Sequence, residues 1–105
     1  MQKKKSRTEN TRPKLVAADV FQLGRLVATP GALETVDAIE MERMVQRHAS
    51  CDWGDCCEDD CEANDKALRY GGRLFSVYIS KSGEKVWIIT EADRSSTCLL
   101  LPSEY

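Results

Sequence analysis

The chain has 105 residues, 42% hydrophobic and 30% charged, with 15 basic and 17 acidic side chains for a net charge of -2. That length allows one small domain. No apolar run approaches the roughly 18 residues of a membrane helix, no lysine-flanked apolar leader with a small-residue cleavage site opens the chain, and three prolines and six glycines exclude collagen-like character.

The first 14 residues carry Lys3, Lys4, Lys5, Arg7, Arg12 and Lys14 against a single Glu9, and the remaining chain is acidic. We therefore expect a basic disordered tail over 1–14 and one domain over 15–105. From Val20 to Ala28 the segment VFQLGRLVA reads as a strand, weakened by Gly24. Thr29 is placed to cap a helical turn that starts at Pro30, where a missing N–H costs nothing. A longer helix is predicted from about Asp37 to Ala49. Asp37 and Glu40 stand at capping-box spacing, and Met41, Met44, Val45 and His48 share one face.

After the tight connection Asp52-Trp53-Gly54-Asp55, a second helix is expected from Cys56 to about Tyr70, stopped by Gly71-Gly72. Its acidic start suits the helix dipole, and Cys57, Cys61, Asn64 and Leu68, with Ala67 alongside, form the expected inner face. Arg73–Ile79 and Lys85–Thr90 read as a hairpin around Ser80–Glu84, and Ser96–Leu101 as a third strand ended by Pro102. The fold class that follows is α+β: two layers, with an antiparallel three- to four-stranded sheet packed against two helices. Trp53, Phe75, Tyr78, Trp87 and the C-terminal leucines are the expected core.

Five cysteines, with no export signal, point to free thiols in a reducing cytoplasm. Cys51, Cys56, Cys57 and Cys61 fall close together near His48, but not as two CxxC pairs, the usual knuckles of structural zinc. Their line continues into the apolar face of the helix, so they read as packing atoms and no metal is assigned. Acidic neighbours raise thiol pKa and argue against a cysteine nucleophile. No phosphate-loop or triad spacing is present. No catalytic, cofactor-binding or metal-ligating residue is assigned, and no cofactor.

Between Asp52 and Asp65 the chain carries seven carboxylates and no basic residue. Such a stretch is either a solvated face or a surface that meets a basic partner, where matched charge raises the on-rate. The segments Leu26–Glu34, Arg47–Asp55, Gly71–Tyr78, Val86–Ser95 and Leu101–Tyr105 together resemble a family of small accessory proteins of plasmids, phages and integrative elements. Members read glycine at the place of Cys51, which would suit a left-handed helix end.

The resemblance implies a non-enzymatic protein that binds and inhibits or modulates a host protein, of the anti-CRISPR or anti-restriction kind. The expected interaction surface is Asp52, Trp53, Asp55, Glu58, Asp59, Asp60, Glu62, Asp93 and Arg94. The expected partner is a host protein with a basic surface, met by a cytoplasmic monomer or homodimer that does not touch a membrane. One alternative is a nucleic-acid-binding regulator that uses residues 1–14 with Arg43, Arg47 and Arg94. Another is a metal-dependent hydrolase or nuclease that uses His48, Asp52 and Asp55.

Overall fold

A computed structural model describes residues 20–105, so the basic segment 1–14 lies outside the described residues. Strand β1 (Arg25–Ala28) leads into a short helix α1 (Pro30–Thr35), then α2 (Ala38–Ala49) and α3 (Glu58–Tyr70). Strands β2 (Leu74–Ile79), β3 (Lys85–Thr90) and β4 (Ser96–Leu100) follow, and a 3-10 turn over Pro102–Glu104 ends the chain. The architecture is α+β, with the helices against one face of a four-stranded sheet ordered β1-β4-β3-β2.

The capping chemistry explains where the helices start. Thr29 accepts a hydrogen bond from the Ala32 N–H, and Asp37 accepts one from Glu40 at 2.8 Å. Glu40 does not close the reciprocal box; its carboxylate instead accepts from the Lys81 N–H in the β2–β3 hairpin. Helix α3 starts two residues later than expected. Cys57 is its N-cap and makes no side-chain capping bond, which leaves that thiol exposed rather than on the inner face. Helix α2 ends at Ala49 with Ser50 as its C-cap, and the next residue, Cys51, has a left-handed φ of 65°. A left-handed position just past a helix end is one that favours glycine.

The hairpin and meander run β2–β3–β4 antiparallel as expected, but β1 pairs parallel to β4, so the sheet is mixed. The expectation of an all-antiparallel sheet rested on short loops, which join only β2, β3 and β4. Strand β1 is separated from β4 by all three helices, and such a crossover permits parallel pairing. The outer edge of β2 is already occupied. The Asn64 side chain bonds both the N–H and the C=O of Phe75, at 2.9 and 2.7 Å, as a neighbouring strand would. Next along the edge, Val77 donates to the Trp53 carbonyl and accepts from the Asp55 N–H. Only the β4 edge is left for β1.

Two apolar clusters fill the space between sheet and helices. One joins Ala32, Val36 and Met44 to Tyr78, Val86, Ile88 and Leu99; the other joins Phe21 and Trp53 to Ala67 and Leu74. On the opposite face Phe75 and Trp87 are half-buried and make an edge-on aromatic row with Tyr105, at centroid distances of 5.0 and 5.7 Å. The expected strand from Val20 is shorter at its start, because Gly24 has a φ of +66° and lies against the Arg94 and Ser95 backbone. A Cβ there would sit 2.4 Å from the Arg94 carbonyl oxygen.

Candidate functional site

The connection between α2 and α3 holds most of the residues singled out in the sequence, and the structure divides them. Asp52 accepts a bidentate pair from Arg47, at 2.7 and 3.2 Å, and a further bond from the Gly54 N–H. Arg47 also stacks 4.7 Å above the Tyr78 ring, whose hydroxyl donates to the Asp52 carbonyl. Burial pushes the Tyr78 phenol pKa up, so it stays a donor. Gly54 carries a φ of +75°, and a Cβ on it would meet the Val77 carbonyl oxygen at 2.1 Å. Asp52 and Gly54 thus hold the loop against the edge of β2.

Trp53 is 6% exposed and belongs to the core. Phe21 and His48 flank its indole at 6.5 and 5.6 Å. At the far end of the sheet, Asp93 accepts from the Ser95 N–H and shapes its own turn. Arg94 bonds the carbonyls of Ala67, Gly72, Glu91 and Ala92, tying the end of α3 to the β3–β4 connection. Asp52, Trp53, Asp93 and Arg94 therefore have structural work. Their apparent specificity in sequence is that of fold determinants.

What is left is a continuous exposed acidic run: Asp55 in the loop, then Glu58, Asp59, Asp60 and Glu62 on the first turns of α3, with Asp65 beyond. Three ion pairs occur among the described residues, Arg47–Asp52, Arg73–Glu91 and Lys81–Asp37. None reaches this run. Beside it lies a shallow cleft of about 370 Å³ lined by Arg47, Gly54, Asp55, Val77, Tyr78 and Ile79.

The thiols sit behind the acidic face. Cys51, Cys56 and Cys61 pack against the cluster of Phe21, Trp53, Ala67 and Leu74. Burial pushes the Cys56 thiol up to about 11 and raises Cys61 as well, with the neighbouring thiols and carboxylates adding to both. Both remain protonated near neutrality and are poor nucleophiles. Among the described residues, no group of three or more His, Cys, Asp and Glu side chains is arranged to hold a metal ion.

His48 is fully buried. Its Nδ1 lies 2.6 Å from Ser76 Oγ and its Nε2 2.8 Å from Thr90 Oγ1, and burial lowers its pKa to about 4. Both ring nitrogens are used inside the core, so the structure does not bring His48 together with Asp52 and Asp55 as a hydrolytic set. Of the arginines considered for nucleic acid, Arg43 is exposed, Arg47 is paired with Asp52, and Arg94 is spent on carbonyls. The sequence reading missed Ser76, Thr90 and Thr97, the buried hydroxyls that accompany His48. Their signal was parity: each is a polar residue on the inward face of an otherwise apolar strand.

No helix among the described residues is long and apolar enough to cross a membrane. No known protein family, curated protein or solved structure matches the chain.

Proposed function

We propose that the protein is a non-enzymatic binding module of a mobile genetic element, which docks its acidic α2–α3 connection on a basic surface of a host defence protein. The observation that carries this reading is the unpaired acidic run. Asp55, Glu58, Asp59, Asp60 and Glu62 are exposed, lie on one short stretch and enter none of the ion pairs described above. Helix-dipole stabilisation accounts for charge in the first turn of α3, since its effect fades within that turn. It does not account for Asp55 in the loop before the helix or for Asp65 well inside it.

A rigid loop presents the run. Asp52, Gly54 and the two backbone bonds to Val77 fix the loop, so a partner meets charges already in place and little ordering cost is added on binding. The cleft beside Asp55 accommodates a protruding basic side chain of the partner. Long-range attraction of this kind speeds encounter and is screened by salt.

The test is made in a host with an active restriction or CRISPR system. Expression of the chain is expected to raise the establishment of a targeted plasmid. A variant with Glu58→Lys, Asp59→Lys, Asp60→Lys and Glu62→Lys, folded to the same Tm, is expected to lose that effect. Equal establishment with both proteins, or no effect of either, overturns the reading.

A further inference from the structure

The buried hydroxyls around His48 form a chain that crosses the sheet. Ser76 Oγ meets His48 Nδ1 at 2.6 Å, His48 Nε2 meets Thr90 Oγ1 at 2.8 Å, and Thr90 Oγ1 meets Thr97 Oγ1 at 2.7 Å. Thr97 Oγ1 then donates to the Leu23 carbonyl at 2.7 Å. Ser76, His48, Thr90 and Thr97 are all fully buried, so no solvent proton substitutes for a missing one. The far end fixes the direction. A carbonyl has only lone pairs, so the hydrogen in the Thr97–Leu23 contact is the hydroxyl hydrogen of Thr97.

Thr97 has no second hydrogen and must accept from Thr90. Thr90, having given its own, must accept from His48 Nε2. Nδ1 is then the bare nitrogen and accepts from Ser76. Run in reverse, the same chain places the imidazole hydrogen on Nδ1, sends the Thr97 hydrogen back to Thr90 and leaves two bare oxygens facing each other at Leu23. The network thus has two proton orders, and they differ in whether Leu23 is held.

The geometry points to His48 as a tautomer-controlled latch: its Nε2–H form, relayed through Thr90 and Thr97, fastens residues 20–24, the segment that carries the N-terminal part of the chain, onto the sheet. The same segment has two further anchors. Phe21 meets the His48 ring edge-on at 5.6 Å, and the Arg25 N–H, where β1 begins, bonds the Ser95 carbonyl at 2.9 Å. The ring and the relay therefore act on one piece of chain from two sides.

His48 is the chain's one histidine, so its ring nitrogens are read without ambiguity in the uniformly 15N-labelled full-length protein. Two-bond 15N–1H correlation at neutral pH is expected to show a protonated Nε2 and a bare Nδ1; a protonated Nδ1 overturns the latch. The second arm compares amide exchange at Arg25 with that at Ile88 in mid-sheet, for two near-isosteric variants. Thr97→Val removes the donor to Leu23 and is expected to speed Arg25 relative to Ile88 by about tenfold. Thr90→Val cuts the relay but leaves Thr97 with Leu23 as its one acceptor, so the ratio is expected to stay within about twofold. Equal release of Arg25 in both variants overturns the proposal. Should Thr97→Val not fold, the ring spectrum of the unaltered protein decides alone.

Discussion

The molecule concentrates polar chemistry in two places that treat it in opposite ways. Around His48 the side chains of Ser76, Thr90 and Thr97 are fully buried and hydrogen-bonded inside the fold. From Asp55 to Glu62 the carboxylates are exposed and enter no ion pair among the described residues. The connection 51–55 separates the two, with Trp53 facing inward and Asp55 outward. The contrast teaches that residue type alone does not mark a site. His48, the residue a hydrolytic reading would have used, is buried in the core, whereas the carboxylates expected to form an interaction surface are exposed.

Removing the buried side is expected to give the largest effect. His48→Ala leaves the hydroxyls of Ser76 and Thr90 without their ring partners and opens a cavity, a loss of roughly 3–5 kcal/mol that urea unfolding will read. An unchanged midpoint would break the contrast outright. Acid probes the same group in the intact protein. The His48 pKa is lowered from 6.5 to about 4 in the fold, so the unfolded chain binds the extra proton first. Stability is therefore full above pH 6.5 and falls as pH drops toward 4, by about 3 kcal/mol for this one group. Asp37 and Asp93 are held below the usual carboxylate range chiefly by hydrogen bonds to Glu40 and Ser95, and they lose their share only at lower pH. A His48→Gln variant should flatten the slope between pH 6.5 and 4 and leave the more acidic limb in place.

An intermediate effect is expected at Asn64, which is 2% exposed and closes the edge of β2. Asn64→Ala leaves the Phe75 N–H without its partner and its C=O with only the weak Cys56 thiol donor, and should cost about 2 kcal/mol, with faster exchange of the Phe75 amide. The smallest effect belongs to the acidic face. Joint replacement of Glu58 and Glu62 by Gln and of Asp59 and Asp60 by Asn should shift Tm by less than about 5 °C, since only helix-dipole support is lost. A larger drop would show that the face serves the fold and not a partner.

How much of this was legible follows from the range of the forces involved. Local signals read well. The Thr29 and Asp37 caps, the face of Met41, Met44, Val45 and His48, and strand β3 over Lys85–Thr90 all depend on neighbours within a few positions. The start of α3 read less well, because its N-cap, Cys57, makes no side-chain capping bond that would mark the position in the sequence. The parallel β1–β4 pairing was not legible, since it depends on which sheet edge is left open after Asn64 and the 53–55 loop have closed the other. Arg94 read as a surface candidate, and Trp53 as both core and surface candidate, because a motif does not show which way a side chain turns; Trp53 is in the core. For the thiols, acidic neighbours were the expected cause of the raised pKa, and burial is the larger one.

The pairing of β1 with β4 also constrains how the chain acquires its structure. Leu23 and Thr97 stand 74 positions apart, so the first strand emerges from the ribosome long before its partner has been made. The helices and the β2–β3 hairpin have short-range contacts with which to begin, whereas this seam must wait until β4 has been made. Nascent chains halted before β4 should hold β1 undocked and accessible to chaperones, and the seam closes only after translation has passed the last strand.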